Sequence, residues 1–271
     1  MKLTTLTSWW EWPTGTKLKN IKVGDKMALK ERLIVALDVD TLEEVQKLVE
    51  LLSPHVGMFK VGLQLFTSLG PKVFEVIHHA GGKIFADLKL HDIPNTVAQA
   101  SRVLTAHRVE MLNVHVAGGL KMMEQAALAV KEEAQRQGIP KPILIGVTVL
   151  TSLAQEDLAQ IGLAQSPQEI VGHWARLAQK AGLDGVVASP QETPLIRKVC
   201  GHEFLTVTPG IRPIGSKQGD QKRITTPKEA ILKGSSYLVV GRPITEAEDP
   251  VVATQKILAE MEEAYAEKRG N

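Results

Sequence analysis

LIVALDVDTLEE, residues 33–44, decides the architecture of this chain. Leu33 to Leu37 form a short, branched, apolar run, the pattern of a fully buried strand. Acidic residues follow at once, and then Thr41 precedes Glu43 and Glu44, a helix start with negative charge in its first turn. No glycine lies in the turn between. A doubly wound open sheet carries a Gly-rich turn after its first strand, so the segment argues against that fold.

Working outward, the same alternation repeats. Apolar runs recur at 58–62 (MFKVG), 83–89 (KIFADLK), 111–116 (MLNVHV) and 143–149 (ILIGVTV). They continue at 185–189 (GVVAS), 204–209 (FLTVTP) and 237–241 (YLVVG). Between them lie helical stripes: Leu42, Val45, Leu48, Val49 and Leu52; then Val97, Ala100, Val103 and Leu104; then Met122, Ala126, Ala129 and Val130. Strands of continuous apolar character joined by helices form a parallel sheet covered on its outer face. Eight such units predict an α/β fold, a closed (β/α)8 TIM barrel built as a single domain.

The barrel spans residues 27–271 in this reading, with 1–26 as an N-terminal appendage. Trp9, Trp10 and Trp12 cluster in that segment, although only 11 of the 271 residues are aromatic. It lacks the apolar stretch of a signal peptide. It reads as an added leader or an atypical extension, with a small hairpin around Pro13–Gly15. It also holds Lys2, Lys17, Lys19, Lys22 and Lys26 against Glu11 and Asp25. The formal charge of +2 therefore belongs to the appendage, and the remainder, with 27 basic and 28 acidic residues, stands at −1.

Such balanced charge gives no reason to expect a nucleic-acid partner. No apolar run reaches the roughly 18 residues of a membrane span. A single cysteine, Cys200, allows no disulfide framework within the chain and suits a reducing, cytoplasmic compartment.

Barrel enzymes place their chemistry at the C-terminal ends of the strands. The residues there are Asp38, Lys60, Asp87 with Lys89, His115, Thr148 with Thr151, Ser189, Arg212 and Arg242. The densest segment is FADLKLHDIPNT, residues 85–96. Asp87 and Lys89 are two apart on a strand and so point to the same side, toward the barrel mouth. Asp92 follows in the loop. Two carboxylates beside one ammonium favour its charged form. Lys89 is then a poor Schiff-base nucleophile and a good fixed cation or proton donor. His115 reads as a structural or pocket-wall histidine, because no second histidine sits at ligand spacing. Gly210–Lys217 has Gly-Ser-Lys where a P-loop has Gly-Lys-Ser/Thr, and is rejected as one.

DLKLHDIPNT (87–96) closely resembles the signature of the orotidine 5′-phosphate decarboxylase family. LIVALDVD, FKVG, GVTVLTS, TPGIRPIGSKQGDQKR (208–223) and VVGRPIT (239–245) resemble that family in the same order. The likeness covers roughly Arg32 to Lys256. It implies a cofactor-free and metal-free decarboxylase that converts orotidine 5′-phosphate to UMP. Carried over residue by residue, Lys89 matches the proton donor, and Asp87 and Asp92 match its charged network. Asp92 and Thr96 match residues reaching in from the partner of a homodimer, and Ile93 matches a substrate-binding position. Asp38 and Lys60 match residues around the ribose hydroxyls. Thr151, with Ser152 beside it, matches the pyrimidine side. Arg212, Gln221, Gly241 and Arg242 match the phosphate side. The loop 211–221, with Gly215 and Gly219, reads as a lid over the site.

Metal-using sugar-phosphate decarboxylases or aldolases on the same barrel share the Asp-x-Lys-x-x-Asp core. They are the nearest rival reading. The following IPNT and the distal GDQKR favour the nucleotide enzyme. A non-catalytic phosphate-binding scaffold is the other alternative, and the intact charged cluster argues against it.

Overall fold

In a computed structural model, residues 28–213 and 225–270 are described. The appendage 1–26 with its hairpin, and Gln221 with most of the lid segment, lie outside the described residues. Eight parallel strands close into a barrel in sequence order, with the eighth paired to the first.

The first half of the barrel contains β1 (Leu33–Leu37), α1 (Leu42–Leu52), β2 (Met58–Val61), α2 (Leu63–Leu69) and α3 (Lys72–His79). It continues through β3 (Ile84–Leu90), α4 (Pro94–Ala106), β4 (Met111–His115) and α5 (Leu120–Gln137). The second half holds β5 (Ile143–Val147), α6 (Gln155–Gln160), α7 (Pro167–Lys180), β6 (Gly185–Val187) and α8 (Thr193–Cys200). It ends with β7 (Leu205–Thr208), α9 (Pro227–Leu232), β8 (Tyr237–Val240), α10 (Arg242–Thr245) and α11 (Pro250–Gly270).

The strands coincide with the apolar runs to within two residues at either end. Several stop one or two residues early, before Gly62, Val116, Thr148, Ala188, Pro209 and Gly241, where the chain leaves the ladder to form loops. The helix starts are chemically specified. Thr41 Oγ1 accepts the Glu44 N–H at 3.2 Å, and the Glu44 carboxylate accepts the Thr41 N–H at 3.2 Å. Ser166 with Glu169 and Thr226 with Glu229 repeat this reciprocal cap on α7 and α9. Each such cap is worth about 1 kcal/mol.

The core has two parts. The larger lies between strands and helices and includes Leu33, Val35, Leu37, Val45, Val49, Leu52, Phe74, Ile84 and Leu112. The smaller fills the barrel itself: Ile34, Ala36, Met58, Phe85, Met111, Ile145, Val207, Tyr237 and Val239. These inner residues alternate with the outer ones, as the two-residue period of a strand requires. Met122, Ala126, Ala129 and Val130 are buried as their spacing predicts. Val103 departs from its expected stripe and is 56% exposed, while Val97 and Leu104 are buried. The buried stripe of α4 instead includes Ala98, Ser101 and Thr105, small residues against which α5 packs closely.

At the N-terminal end of the barrel, Arg197 ties the β6–β8 region together. Its guanidinium donates to the carbonyls of His202, Phe204 and Gly234 and to the hydroxyls of Thr206 and Ser236.

Candidate active site

A cavity of about 270 Å³ opens at the C-terminal mouth. Its floor is apolar and includes Ala36, Phe85, Val187, Val207 and Val239 from the barrel interior. Its rim is charged: Asp38, Lys60, Asp87, Lys89, Arg212 and Arg242, joined by Thr151 and Gly241. Among the described residues, four cations against two anions line this mouth, although the barrel as a whole is nearly neutral. An apolar floor with a few convergent polar groups is the usual form of a small-molecule site.

The charges alternate in space. Lys60 Nζ lies 3.5 Å from Asp38 Oδ1 and 3.5 Å from Asp87 Oδ2. Lys89 Nζ donates to Asp87 Oδ1 at 2.8 Å. Asp38, Lys60, Asp87 and Lys89 thus form a row of alternating sign, with Asp38 directly after β1, Lys60 on β2, and Asp87 and Lys89 on β3. The Asp87 side chain is 13% exposed and Lys60 12%, against 31% for Lys89, so the outer ammonium remains the accessible one.

The backbone beneath Lys89 is not a regular strand. Ala86 pairs with Leu112, but Leu90 pairs with Val114, so β3 carries two more residues than β4 between these points. The excess is absorbed in a bulge where Lys89 takes φ +50°, left-handed for a residue with a side chain. Asp87 and Lys89 do meet on one side, but through this bulge and not through simple two-residue periodicity.

Asn113, fully buried on β4, fastens the bulge. Its Oδ1 accepts the Lys89 backbone N–H at 2.8 Å, and its Nδ2 donates to Asp87 Oδ1 at 2.7 Å. Sequence reasoning passes over this residue. Its signal was an amide in the middle of MLNVHV, a strand otherwise apolar up to its terminal histidine.

The remaining sequence candidates divide. Gly241 precedes α10 and lets the chain pass close to Asp38: a Cβ there would stand 3.2 Å from Asp38 Oδ2. Arg212 lies next to the bridge between Ile211 and Thr225, which joins the described residues on either side of 214–224. The Arg212 N–H donates to the Thr225 carbonyl at 3.0 Å.

Asp92, Ile93 and Thr96 are exposed and do not line the cavity. The Asp92 carboxylate accepts the N–H of its neighbour Ile93 at 2.6 Å. The expected pair of carboxylates about Lys89 is therefore not formed within one chain. The three-residue loop 91–93 turns outward into α4, and Asp87 is instead flanked by two ammonium groups. Ser152 is also exposed and outside the cavity lining.

Two strand-end residues serve the scaffold. Thr148 donates to the Val187 carbonyl at 2.7 Å, and Ser189 caps the short helical turn at 190–192. His115 packs against His91, with ring centroids 5.3 Å apart. Burial, followed by repulsion from His91 and Lys89, holds its pKa below the usual histidine value. Among the described residues, no three His, Cys, Asp or Glu side chains are grouped as a metal ion would need. None of the described helices is long and apolar enough to cross a membrane.

Against known proteins, residues 31–257 match the model of the orotidine 5′-phosphate decarboxylase / HUMPS family. The chain is 56% identical over 238 residues to the orotidine 5′-phosphate decarboxylase of Moorella thermoacetica, covering 88% of this chain and 94% of that one. It is 52% identical over 239 residues to the enzyme of that name from Syntrophomonas wolfei, covering 88% of this chain and all of the relative. Among solved structures, the orotidine 5′-phosphate decarboxylase of Lactobacillus acidophilus superposes with a TM-score of 0.75 at 38% identity. That match covers 84% of this chain and 98% of the other.

Proposed function

The chain belongs to the orotidine 5′-phosphate decarboxylase / HUMPS family, and from that membership and the charged row at its mouth we infer how it turns orotidine 5′-phosphate into UMP. The reaction breaks the bond between C6 of the pyrimidine and its carboxylate. Carbon dioxide leaves, and the electron pair stays on a ring carbon with no neighbouring sink. The Lys89 ammonium stabilises that pair by its charge and then gives it a proton, so C6 ends as C–H and the lysine regains its proton from solvent.

The single observation that carries this assignment is the alternating row Asp38–Lys60–Asp87–Lys89, which ends on the more exposed of its two ammonium groups. Asp87 aims Lys89 through one oxygen. Lys60, tied between Asp38 and Asp87, is fixed where ribose hydroxyls would meet both a cation and an acceptor. Arg212 and Arg242 supply the phosphate grip, with Gly241 giving close backbone access and Gln221 completing it from the lid. Grip on the phosphate offsets the cost of orienting the ring, so it aids turnover as well as affinity. Thr151 and Ser152 face the pyrimidine in this assignment.

The active form is a homodimer in which Asp92, Ile93 and Thr96 complete the neighbouring site. Their exposure on one side of the mouth, close to the charged row in sequence, supports this. The catalytic unit is 27–271, supported by a family match that begins at residue 31, with 1–26 as an appendage. A biosynthetic role and a lone thiol support a cytoplasmic enzyme.

The metal-using rival is less favoured, because the close relatives named above carry the decarboxylase name. The test is loss of orotidine 5′-phosphate absorbance with and without EDTA. Turnover that persists in the chelator is expected; turnover that requires added metal would overturn the assignment in favour of the sugar-phosphate chemistry.

A further inference from the structure

We propose that Asn113 is a positioning residue for Lys89, an inference that rests on the decarboxylase reading above. A lysine at φ +50° is strained relative to an ordinary strand conformation, and persists only where its surroundings over-determine it. The bulge takes Lys89 out of the regular β3–β4 pairing, which resumes only at Leu90. Its backbone donor would be left without a partner in a half-buried place, and Asn113 Oδ1 supplies one at 2.8 Å.

The orientation of the Asn113 amide is forced by its partners. A backbone N–H only donates and an ionised carboxylate only accepts, so Oδ1 must face Lys89 and Nδ2 must face Asp87. The result is a closed ring. Asn113 holds the Lys89 main chain and Asp87 Oδ1, while Asp87 Oδ1 holds the Lys89 ammonium at 2.8 Å. One amide thus fixes both ends of the lysine, its backbone directly and its ammonium through the carboxylate. Asn113 is fully buried and lines no part of the cavity, so it acts on the reaction through Lys89 and not on the substrate.

The test compares the parent chain with Asn113→Ala in three measurements: kcat for orotidine 5′-phosphate, the Kd for UMP by calorimetry, and the thermal midpoint. A loosened proton donor lowers kcat roughly 10- to 100-fold. The phosphate and ribose contacts do not pass through Asn113, so UMP affinity stays within about threefold of the parent. A role confined to the fold would lower the midpoint without dividing kcat from UMP affinity in this way. Should Asn113→Ala fail to fold, Asn113→Asp decides. It keeps the shape and the acceptor for Lys89, but loses the donor and sets a like charge against Asp87, so kcat again falls. Parental kcat in either folded variant overturns the proposal, as does a loss of UMP affinity equal to the loss of kcat. A parent chain that leaves orotidine 5′-phosphate unchanged overturns the decarboxylase reading itself, which distinguishes the two failures.

Discussion

The ammonium of Lys60 stands 3.5 Å from Oδ2 of Asp87, facing the oxygen that Lys89 leaves open. Asp87 is thereby engaged on both oxygens, and neither lysine can be repositioned without disturbing the other. Asp87→Asn keeps the shape but removes the charge between two cations, which then repel one another. We expect kcat to fall by two orders of magnitude or more while the protein stays folded, measured by turnover and circular dichroism together. A fall smaller than about tenfold would show that the carboxylate does not aim the lysine.

Lys89 itself gives a prediction in which activity and stability separate. Lys89→Ala and Lys89→Gly both remove the proposed proton donor, and both are expected to lose turnover by at least ~10²-fold. They differ in the backbone. At φ +50° alanine remains strained and glycine does not, so Lys89→Gly unfolds at higher denaturant, by about 1 kcal/mol. Equal stability of the two variants would mean that the left-handed conformation relaxes once the side chain is gone.

The mouth is also shaped by a glycine. A Cβ at Gly62 would meet Lys60 Nζ at 2.9 Å, so in Gly62→Ala that ammonium must shift from its present place between Asp38 and Asp87. Lys60 is assigned to the ribose and not to the reacting carbon. The expected result is a KM raised about tenfold with a smaller change in kcat, read from initial rates. A pure kcat defect would place Lys60 in the chemical step.

Three titrating groups give a pH signature for stability. Burial pushes the Glu110 carboxyl up from 4.5 to about 6, against the pull of the Ile84 N–H that it accepts at 2.6 Å. The folded state holds this proton more tightly than the unfolded state. Its stabilisation is full below pH 4.5 and is lost as pH rises through 6, a change of up to ~2 kcal/mol. Burial holds His78 and His115 below the usual 6.5, so their contribution is full above that pH and is lost as pH falls below it. Glu110→Gln should therefore raise the thermal midpoint by several degrees at pH 7.5 and leave it unchanged at pH 4. A gain that is the same at both pH values would show that the carboxyl titrates normally.

Subunit sharing is tested by mixing. Lys89→Ala chains and Asp92→Ala chains are each inactive as homodimers if every site uses Lys89 from one chain and Asp92 from the other. After subunit exchange at equal amounts, half of the dimers are mixed and one site in each is intact. About a quarter of the parental activity returns. Absence of recovery, with exchange demonstrated by tagged chains, would count against a shared site.

The barrel was legible because burial leaves a simple trace. Strands covered on both faces are apolar throughout, and Leu33–Leu37 could be read to the residue. Asp87 and Lys89 were legible because opposite charges at the end of an otherwise apolar strand are costly to desolvate unless they pair and face the mouth. What escaped was whatever depends on register between strands. The two-residue excess of β3 over β4 leaves no mark in the spacing of β3 alone, so Lys89 looked like an ordinary strand residue. Asn113 became significant only when β4 was laid beside that excess. Asp92 is three residues from Lys89 in sequence, which suggests a second flank for its ammonium. The three-residue loop before α4 undoes that inference within the single chain. Thr148 and Ser189 looked like site residues because polarity at a strand end has two uses, and their hydrogen bonds go to the scaffold.

The bulge in β3 also bears on how Lys89 is placed. Removing two residues between Ala86 and Leu90 would bring that strand into continuous register with β4. Lys89, the proposed proton donor, therefore sits in the excess length of β3 and not in the regular lattice of the barrel. A change in the length of this one strand would displace Lys89 while leaving the pairing of β3 with β2 through Ala86 in place.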